Sequence, residues 1–544
     1  MRKPLIVTLL ALLLVPACRN RTADHAPPPA ATAPRHGGIV VIGVLADIDN
    51  WNPYLSETGF GEDLLALLYP SLVTELPDYQ EHPPTFAPSL AESWTWSDDH
   101  LTLTFQLRRD AVWSDGAPVT SRDVLFTWQA QTSPEVAWTS SYVKDFIEEV
   151  EAADPYTVRF RFSRQYPYQM MDANDGLIVP AHTWGEIPYS QWQTTAWEEK
   201  TLSAGPFRFS SYSPQQEIVL DANPGYWHEG RPLLDRVVWR IIPSQFSLVT
   251  QLRTASVDFV TSVPAAAAAG LADNPQLRLV DFEDRAYTFL AWNNRSPLFA
   301  DARVRRAMTL AIDRQAILDT VRPGFGRVAV GPVLSTMWAF NRRLEPLPHD
   351  PEQARSLLAE AGWKDRDGDG LLDRDGARFE FELVTNSENQ ELRDVTVLVH
   401  DQLERLGITV QPRSTEVAAL VALRSRGTFD ALAGTWREPT QVDLEEVWHS
   451  APVDEPTANF IGYSDPEVDR LLREASAQAE FEQQKVLLDR IQEIIVEQQP
   501  YTFLYELRRT AAINRRISGA VINDATPYYN LDEWYVIEGQ QAPQ

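Results

Sequence analysis

The chain has 544 residues, more than a single hydrophobic core usually serves, so its length predicts at least two lobes. Hydrophobic residues make up 44% of the sequence and aromatic residues 10%, a composition that excludes global disorder. Because 48 Lys and Arg residues stand against 76 Asp and Glu residues, the net charge is -28, and we expect no nucleic acid partner, since phosphate binding requires a basic footprint.

The N-terminal segment predicts a signal peptide followed by a lipid anchor. Arg2 and Lys3 precede an apolar run from Leu5 to Val15, which is too short to cross a bilayer as a permanent helix. Cys18 follows this run and is the only cysteine in the sequence, an arrangement similar to a bacterial lipobox. We therefore expect residues 1–17 to be removed and Cys18 to carry a lipid; the alternative is a signal segment with an incidental cysteine.

Residues 18–36 are predicted to tether the folded part of the chain to the membrane. The stretch from Thr22 to Arg35 is rich in Pro and Ala and has no periodic apolar residues, which is typical of a semi-rigid spacer. Folded sequence is expected from Gly37, where Ile39 to Ile42 predicts a short strand that leads into a loop.

The segment from Ala87 to Trp128 predicts a strand, a turn and a helix. The strand is indicated by apolar residues at alternate positions, namely Leu101, Leu103, Phe105 and Leu107. A turn at Asp115-Gly116 follows. Thr120 and Asp123 then form a capping-box signature, which predicts the start of a helix.

The residue identities of this segment resemble the signature of the bacterial extracellular solute-binding proteins of family 5, the oligopeptide, dipeptide and nickel transport class. Further landmarks of that family follow at Gly205-Pro206, Asn223-Pro224, Tyr226-Trp227, Asp301 to Arg305 and Ala311 to Arg314. The resemblance covers about residues 37 to 530. It implies an α/β (mixed α+β), periplasmic binding protein-like fold of the large type II class, with two lobes and a hinged cleft between them.

Beyond the opening segment, strands and helices alternate along the chain. Strands are predicted at Thr157–Phe162, Gly205–Phe209, Ile218–Leu220, Val237–Ile242, Phe379–Val384, Ile408–Val410 and near Phe503–Tyr505. Helices are predicted after Asp301 and Asp350 and at Leu392–Leu406, Asp465–Ala477 and Gln483–Glu497. The alternation beyond residue 300 predicts a parallel α/β lobe.

The resemblance also implies how the chain is divided. Residues 37–283 would form the N-terminal lobe, with a subdomain at about 66–190, residues 284–505 the second lobe, and residues 506–544 a return to the N-terminal lobe. The crossings near Tyr287 to Trp292 and near Pro500 to Glu506 would act as the hinge. Closure about this hinge would bury a ligand between the lobes.

Motifs of catalysis are missing from the sequence. No two His residues have the i, i+4 spacing of metal ligands on one helix face, and the sequence contains neither a GxSxG elbow nor a GxxxxGKS/T phosphate loop. We therefore expect no catalytic residues and no enzyme.

One loop resembles the start of a calcium-binding loop. Asp365, Asp367 and Asp369 supply oxygen atoms at positions 1, 3 and 5, but position 12 is Gly376, so the bidentate Glu is missing. We expect an Asp- and Gly-rich turn without a cofactor, and calcium binding is the alternative.

Three loops supply the candidate ligand-binding residues. Ser56 to Phe60 stands where peptide binders of the family offer hydrogen bonds to the ligand. Thr435 replaces the Asp that pairs with the peptide's amino terminus, and Asn386 replaces the Arg that dipeptide binders place against the carboxylate. Both departures remove a charge partner of a buried zwitterion, although Arg437 or Glu438 could substitute. The predicted ligand-binding residues are Ser56, Thr58, Gly59, Phe60, Asn386, Thr435, Trp436 and Arg437.

The resemblance implies a substrate-binding component of an ABC importer, which binds a peptide-like solute and delivers it to a membrane permease and its ATPase. An oligosaccharide-binding importer component is the alternative, suggested by neutral polar groups and Trp in place of the charge pair. An envelope peptide chaperone and an enzyme are alternatives from other classes. We expect a monomer, anchored by lipid at the periplasmic or extracellular face of the cell envelope.

Overall fold

The computed structural model describes residues 34–450, 458–524 and 526–537. From Arg35 onward these residues form one compact unit. The predicted signal peptide, the predicted anchor at Cys18 and nearly all of the predicted tether lie outside the described residues. Within the described ranges, no helix has both the length and the apolar character needed to cross a membrane.

The first half of the chain is rich in short strands. Its elements are β1 (Ile39–Val44), α1 (Gly59–Leu65), β2 (Val73–Glu75), β3 (Phe86–Pro88), β4 (Ala91–Trp96), β5 (Thr102–Leu107), α2 (Ser121–Gln131), β6 (Ile147–Asp154), β7 (Thr157–Phe162), α3 (Gln169–Asn174), α4 (Ala181–Trp184), β8 (Phe207–Ser213), β9 (Glu217–Ala222), β10 (Arg236–Ile241), α5 (Gln245–Arg253), β11 (Phe259–Val260) and α6 (Ala265–Ala272). Short 3₁₀ helices lie at Ser141–Lys144, Tyr189–Thr194 and Trp197–Lys200.

The second half of the chain carries the longer helices and two long strands. Its elements are β12 (Leu277–Trp292), α7 (Ala302–Ala311), α8 (Arg314–Val321), β13 (Gly326–Val328), α9 (Pro351–Glu360), β14 (Asp373–Arg374), β15 (Ala377–Arg378), β16 (Glu380–Asn386), α10 (Gln390–Glu404), β17 (Thr409–Thr415), α11 (Val417–Arg426), β18 (Ala431–Arg437), α12 (Glu445–Trp448), α13 (Pro466–Ser476), α14 (Phe481–Gln498), β19 (Tyr501–Asn514), β20 (Ile517–Ser518) and β21 (Tyr535–Val536). A 3₁₀ helix at Leu531–Glu533 precedes β21.

The predicted strand, turn and helix of the Ala87 to Trp128 segment are confirmed. Leu103, Phe105 and Leu107 are the buried residues of β5, as the alternation predicts. Gly116 has a φ of 90°, a conformation that favours glycine and that the turn requires. The Thr120 N–H donates to the Asp123 carboxylate at 2.7 Å, so the capping box forms and α2 begins at the next residue.

One large mixed sheet holds the fold together. Its strands follow the order β17-β16-β18-β12-β19-β11-β1-β10-β9-β8, with β13 paired to β19 beside this path. β16 pairs in parallel with β17 and β18, as the sequence predicts for this part of the chain. β12 and β19 pair antiparallel along most of their length, so the sheet as a whole is mixed. A separate antiparallel sheet has the order β4-β5-β7-β6.

Apolar side chains gather in separate clusters along this sheet. One cluster joins residues from Val40 to Phe259 with Ala511, Ile513 and Trp534, and we call the part of the molecule around it the N-terminal lobe. Two further clusters cover residues between Ala286 and Leu507, joined by Tyr79 of the first half of the chain, and we call the part from Ala286 to Leu507 the second lobe. Phe289 and Leu290 are neighbours in β12 but belong to different clusters, because successive strand residues point to opposite faces of the sheet.

Candidate ligand-binding cleft

The two lobes share the long strands β12 and β19. The C-terminal part of β12 pairs with β18 and with the start of β19, whereas its N-terminal part pairs with the end of β19. The register of β12 and β19 shifts between Glu283 and Tyr287, so the regular ladder is interrupted at the point where the strands pass from one lobe to the other. The predicted hinge segments lie in these two strands, and the interruption at residues 284–286 lies beside the first of them.

A buried carboxylate links the strands at this interruption. The Asp284 side chain is 2% exposed and accepts hydrogen bonds from Arg437 at 2.7 Å and from Arg509 at 2.5 Å. The neighbouring Arg285 donates to the main-chain oxygens of Glu438 at 3.1 Å and Asp524 at 3.4 Å. Burial lowers the pKa of Arg285, and the nearby Arg437 adds to this effect. The lobe junction therefore contains a network of charges that removal of one member would leave unbalanced.

The predicted loop of the N-terminal lobe is held by Asp49. The hydroxyl groups of Ser56 and Thr58 donate to its carboxylate at 2.7 and 2.8 Å, and the Glu57 N–H donates at 2.6 Å. Burial opposes the charge of Asp49, but these hydrogen bonds outweigh burial and lower its pKa. Thr58 also caps α1, because its hydroxyl accepts from Gly61 N–H at 3.2 Å. The loop is thus preorganised before any ligand arrives.

Strand β18 has an edge without a strand partner. β12 covers one side of β18 from Ala431 to Arg437, but β16 covers the other side only at Ala431 and Leu432. The Glu438 N–H donates to the Arg285 carbonyl at 2.7 Å, so Glu438 directs its main-chain N–H toward β12. In an antiparallel pair only every second residue does so, and the main-chain groups of Arg437 and Thr435 therefore point away from β12. Among the described residues, no strand pairs with these groups. We call this segment, Ala433 to Arg437, the open edge.

The open edge faces α1 of the N-terminal lobe. Burial raises the pKa of Glu62 in the first turn of α1, and the positive charge of Arg437 opposes that rise. Burial also raises the pKa of the next residue, Asp63, to about 6, against an opposing contribution from the same Arg437. Glu62 nevertheless keeps an exposed side chain. Because the charge of Arg437 acts on both carboxylates, α1 lies near the end of the open edge, and we take the space between them as the candidate cleft.

The structure brings several predicted ligand-binding residues to this cleft. Gly59 begins α1, and a Cβ atom at its position would meet nothing within 4 Å. The main-chain groups of Thr435 and Arg437 lie on the open edge, and the Thr435 hydroxyl is 3.2 Å from that of Thr288. Asn386 ends β16 at the same end of the sheet, because β16 and β18 run parallel. Whether these residues contact a ligand stays a prediction.

Other predicted residues pack within their own lobes. Phe60 is half-buried against the core of the N-terminal lobe. The Trp436 ring stacks on Phe289 with a centroid distance of 5.8 Å, and the Arg424 guanidinium lies 5.0 Å from its centroid. The amide oxygen of Asn386 accepts from the Glu388 N–H at 2.9 Å and so closes its own turn. These side chains therefore shape the cleft walls through packing.

Sequence reasoning named Glu438 as a possible charge partner but did not find Glu62 and Asp63, which follow the first predicted loop. Glu62 and Asp63 lie just after Ser56 to Phe60, and burial raises the pKa of Glu438 to about 7, directly after Arg437. Their closeness to the loops in sequence is a signal that would have found them. Their desolvation is not visible in the sequence, because it depends on how the two lobes meet.

The candidate calcium loop is closed by its own hydrogen bonds. Oxygen atoms of Asp365, Asp367 and Asp369 lie within 4.8 Å of one another, and all three residues are exposed. Asp365 accepts from the N–H groups of Gly368 at 2.7 Å and Gly370 at 3.1 Å, which is the pattern of an Asp-based turn. Calcium binding at this loop stays a prediction.

The chain resembles known proteins over nearly its whole length. A family model described as bacterial extracellular solute-binding proteins, family 5 Middle, matches residues 85–447. The chain is 29% identical over 537 residues to the oligopeptide-binding protein AppA of Bacillus subtilis strain 168, a match that covers 98% of this chain and 97% of that protein. It is 26% identical over 526 residues to the probable D,D-dipeptide-binding periplasmic protein DdpA of Escherichia coli K12, which covers 95% and 96% of the two chains.

The fold also resembles that of a solved structure. The oligopeptide-binding protein AppA from Bacillus subtilis in complex with a nonapeptide matches with a TM-score of 0.78 at 30% sequence identity. This match covers 93% of the present chain and 100% of the other. The similarity therefore extends over both lobes and over the cleft between them.

Proposed function

This chain belongs to family 5 of the bacterial extracellular solute-binding proteins, and we propose that it binds an extended peptide along the open edge of β18 and delivers it to the permease of an ABC importer. The single observation that carries the proposal is the open edge itself. Its main-chain donors and acceptors at Thr435 and Arg437 face the cleft and have no strand partner among the described residues. An extended peptide can pair with such an edge as an added strand.

Binding through the main chain suits an importer component that accepts many sequences. Hydrogen bonds to the peptide backbone are the same for every side chain, so they give affinity without selecting sequence. Selectivity must then come from the pockets that receive the side chains and from the charges near the peptide ends. Because Thr435 stands in place of the family's Asp, we propose that Glu62 or Glu438 supplies the negative charge near the peptide's amino terminus.

The oligosaccharide alternative depends on an aromatic ring that is free to stack on a sugar. Trp436 is the ring that the sequence offers for this purpose, but it already packs against Phe289 and beside the Arg424 guanidinium. A peptide is therefore the better-supported ligand. Its test is mass spectrometry of the ligand that purified protein releases on denaturation. We expect a mixture of short peptides; a released oligosaccharide in place of peptides would overturn the proposal.

The same proposal includes the location of the protein and its lack of catalysis. We propose that Cys18 is acylated and holds the chain at the outer face of a membrane, where a tether of Pro and Ala residues leaves the lobes free to close. Metabolic labelling with a fatty acid analogue should mark the wild-type protein and leave Cys18→Ser unmarked.

Bound peptides should remain intact after prolonged incubation with the protein, because we propose that the cleft binds peptides and does not hydrolyse them.

A further inference from the structure

A cavity of about 560 Å³ lies between the two lobes, beyond the end of the open edge. Its volume is within the range of about 300 to 1,000 Å³ that is usual for ligand pockets. The walls combine Tyr142, Phe146 and Asp172 of the N-terminal lobe with Asp443, Leu444 and Leu472 of the second lobe. Two hydrogen bonds join these walls: the Tyr168 hydroxyl donates to the Val442 carbonyl at 2.5 Å, and the Gln484 amide donates to the Tyr168 oxygen at 3.1 Å.

The cavity lies close to the open edge along the chain. Gln441 to Glu445, which line the cavity, follow β18 after only Glu438 to Thr440. The charge of Asp175 raises the pKa of Tyr142 in the cavity and also that of Glu62 in the cleft, beside the larger effect of burial on each. A ligand that continues past the end of the open edge would therefore approach the cavity.

Two cavity residues are accessible to a ligand. Tyr142 is 61% exposed, although most large aromatic residues of the chain are buried. Burial raises its pKa, and the carboxylates of Glu446, Asp175, Asp443 and Asp172 raise it further. Asp443 is also exposed, and burial raises its pKa. An exposed phenol ring in the field of four carboxylates presents the negative face and negative surroundings that attract a cation.

The positive residues near the cavity have other partners than Asp443. The Arg164 guanidinium lies 3.9 Å from the ring centroid of Phe146, and Arg473 approaches the His449 ring at 3.4 Å. Lys144 donates to the main-chain oxygen of Asp175 at 2.8 Å. Burial raises the pKa of Asp172 to about 7, and the charge of Lys144 opposes that rise. Within the described residues, none of these three cations forms a salt bridge with Asp443, whose side chain accepts the Glu445 N–H at 2.8 Å.

We infer that this inter-lobe cavity receives a positively charged side chain, Lys or Arg, of the bound peptide, with Asp443 as its ion-pair partner and the Tyr142 ring as its cation–π wall. The inference rests on the proposed function, because it assigns a side-chain pocket to a peptide held at the open edge. Asp172 closes the inner end of the pocket, where the Tyr166 hydroxyl donates to its carboxylate at 2.7 Å. The importer component would therefore favour basic peptides over neutral and acidic ones.

The test is competition within a defined peptide pool. Purified full-length protein is incubated with an equimolar pool of alanine-based hexapeptides that carry Lys, Arg, norleucine, citrulline or Glu as a single guest at each position. Retained peptides are then released by acid and quantified by mass spectrometry. We expect Lys and Arg guests to be enriched about tenfold over norleucine and citrulline at one guest position, since an exposed cation–π contact and one ion pair together supply that factor.

Two variants assign the enrichment to the cavity. Asp443→Asn keeps an oxygen for the Glu445 N–H and should reduce the enrichment to about twofold or less. Asp401→Asn, a carboxylate with a 56% exposed side chain on α10 of the same lobe, is the matched control and should retain the full enrichment. Thermal unfolding of each variant checks that the fold is intact.

The outcomes separate the pocket from the proposed function. Peptides retained by the wild type without preference for Lys or Arg would overturn the pocket and leave the proposed function standing. Enrichment that persists in Asp443→Asn would also overturn it. Retention of no peptide at all would overturn the proposed function, and the pocket with it.

Discussion

The Arg437 guanidinium donates a 2.7 Å hydrogen bond to Asp284, and this contact joins the last residue of β18 to the point where β12 passes between the lobes. Arg437 is half-exposed toward the cleft, whereas the Asp284 side chain is 2% exposed. The contact therefore couples the end of the open edge, where we propose that peptide binds, to the strand interruption at the lobe junction.

Substitution of Asp284 should destabilise the protein. In Asp284→Asn, Arg437 and Arg509 would face each other without the carboxylate that both now contact, so we expect the free energy of unfolding to fall by roughly 1–3 kcal/mol. Urea unfolding followed by tryptophan fluorescence measures the change. Glu474→Gln is the control, because the pair of Glu474 with Arg470 is exposed and should contribute less than about 1 kcal/mol. Equal stability of the two variants would contradict the prediction.

The open edge can be tested through a single N–H group. Thr435→Pro removes the main-chain donor that faces away from β12, and the strand can accept Pro there because that N–H has no strand partner among the described residues. We expect about tenfold weaker binding of a peptide identified by mass spectrometry, the usual effect of one lost hydrogen bond. Thr435→Ala keeps the N–H and should bind within about threefold of wild type. Isothermal calorimetry measures the peptide affinity of both variants. Equal affinities of Thr435→Pro and Thr435→Ala would exclude the open edge as a peptide partner.

Much of the fold can be predicted from local patterns in the sequence. The predicted strand at Thr157–Phe162 coincides with β7, because its alternating apolar residues face one core. β19 is longer than predicted, since the sequence indicates only Phe503 to Tyr505. Its later part contains Glu506, which accepts from the Ser335 N–H at 2.8 Å, and Thr510, which donates to Asp281 at 2.6 Å. These polar residues interrupt the apolar pattern, and their partners are far away in sequence.

The candidate site is predictable to a smaller extent. The resemblance to the family points to the loop at Ser56 and to Thr435, which lie on the two sides of the cleft. The Asp49 carboxylate that holds this loop is seven residues from Ser56, and no pattern in the sequence marks it. The cavity between Tyr142 and Asp443 has no local signature at all, because its walls come from distant segments that meet only when the lobes pack together.

The calcium alternative at the Asp365 loop can be decided directly. We expect no heat and no thermal shift on titration with millimolar calcium, because the Asp365 and Asp369 carboxylates already accept main-chain N–H groups and Asp369 also accepts from Arg378 at 2.6 Å. Isothermal calorimetry on the full chain measures the heat of binding, and thermal unfolding with and without calcium measures the shift. Asp367→Asn is the control variant, and heat in the wild type that this substitution abolishes would establish a calcium site.

The pH dependence of stability should reveal the buried carboxyl group of Glu438. Burial raises its pKa to about 7, and the charge of Glu446 adds to this rise while Arg285 opposes it. A carboxyl whose pKa is higher in the folded chain than in the unfolded chain binds more protons when folded, so stability falls as pH rises from about 4.5 through 7.

Glu438→Gln removes this titration and should flatten the dependence of the thermal midpoint between pH 5 and pH 8. Other buried carboxyl groups, such as Asp63, titrate in both proteins and cancel in the difference. Glu352→Gln, with an 86% exposed side chain, should leave the curve unchanged. Parallel curves for wild type and Glu438→Gln would show that Glu438 does not titrate in this range.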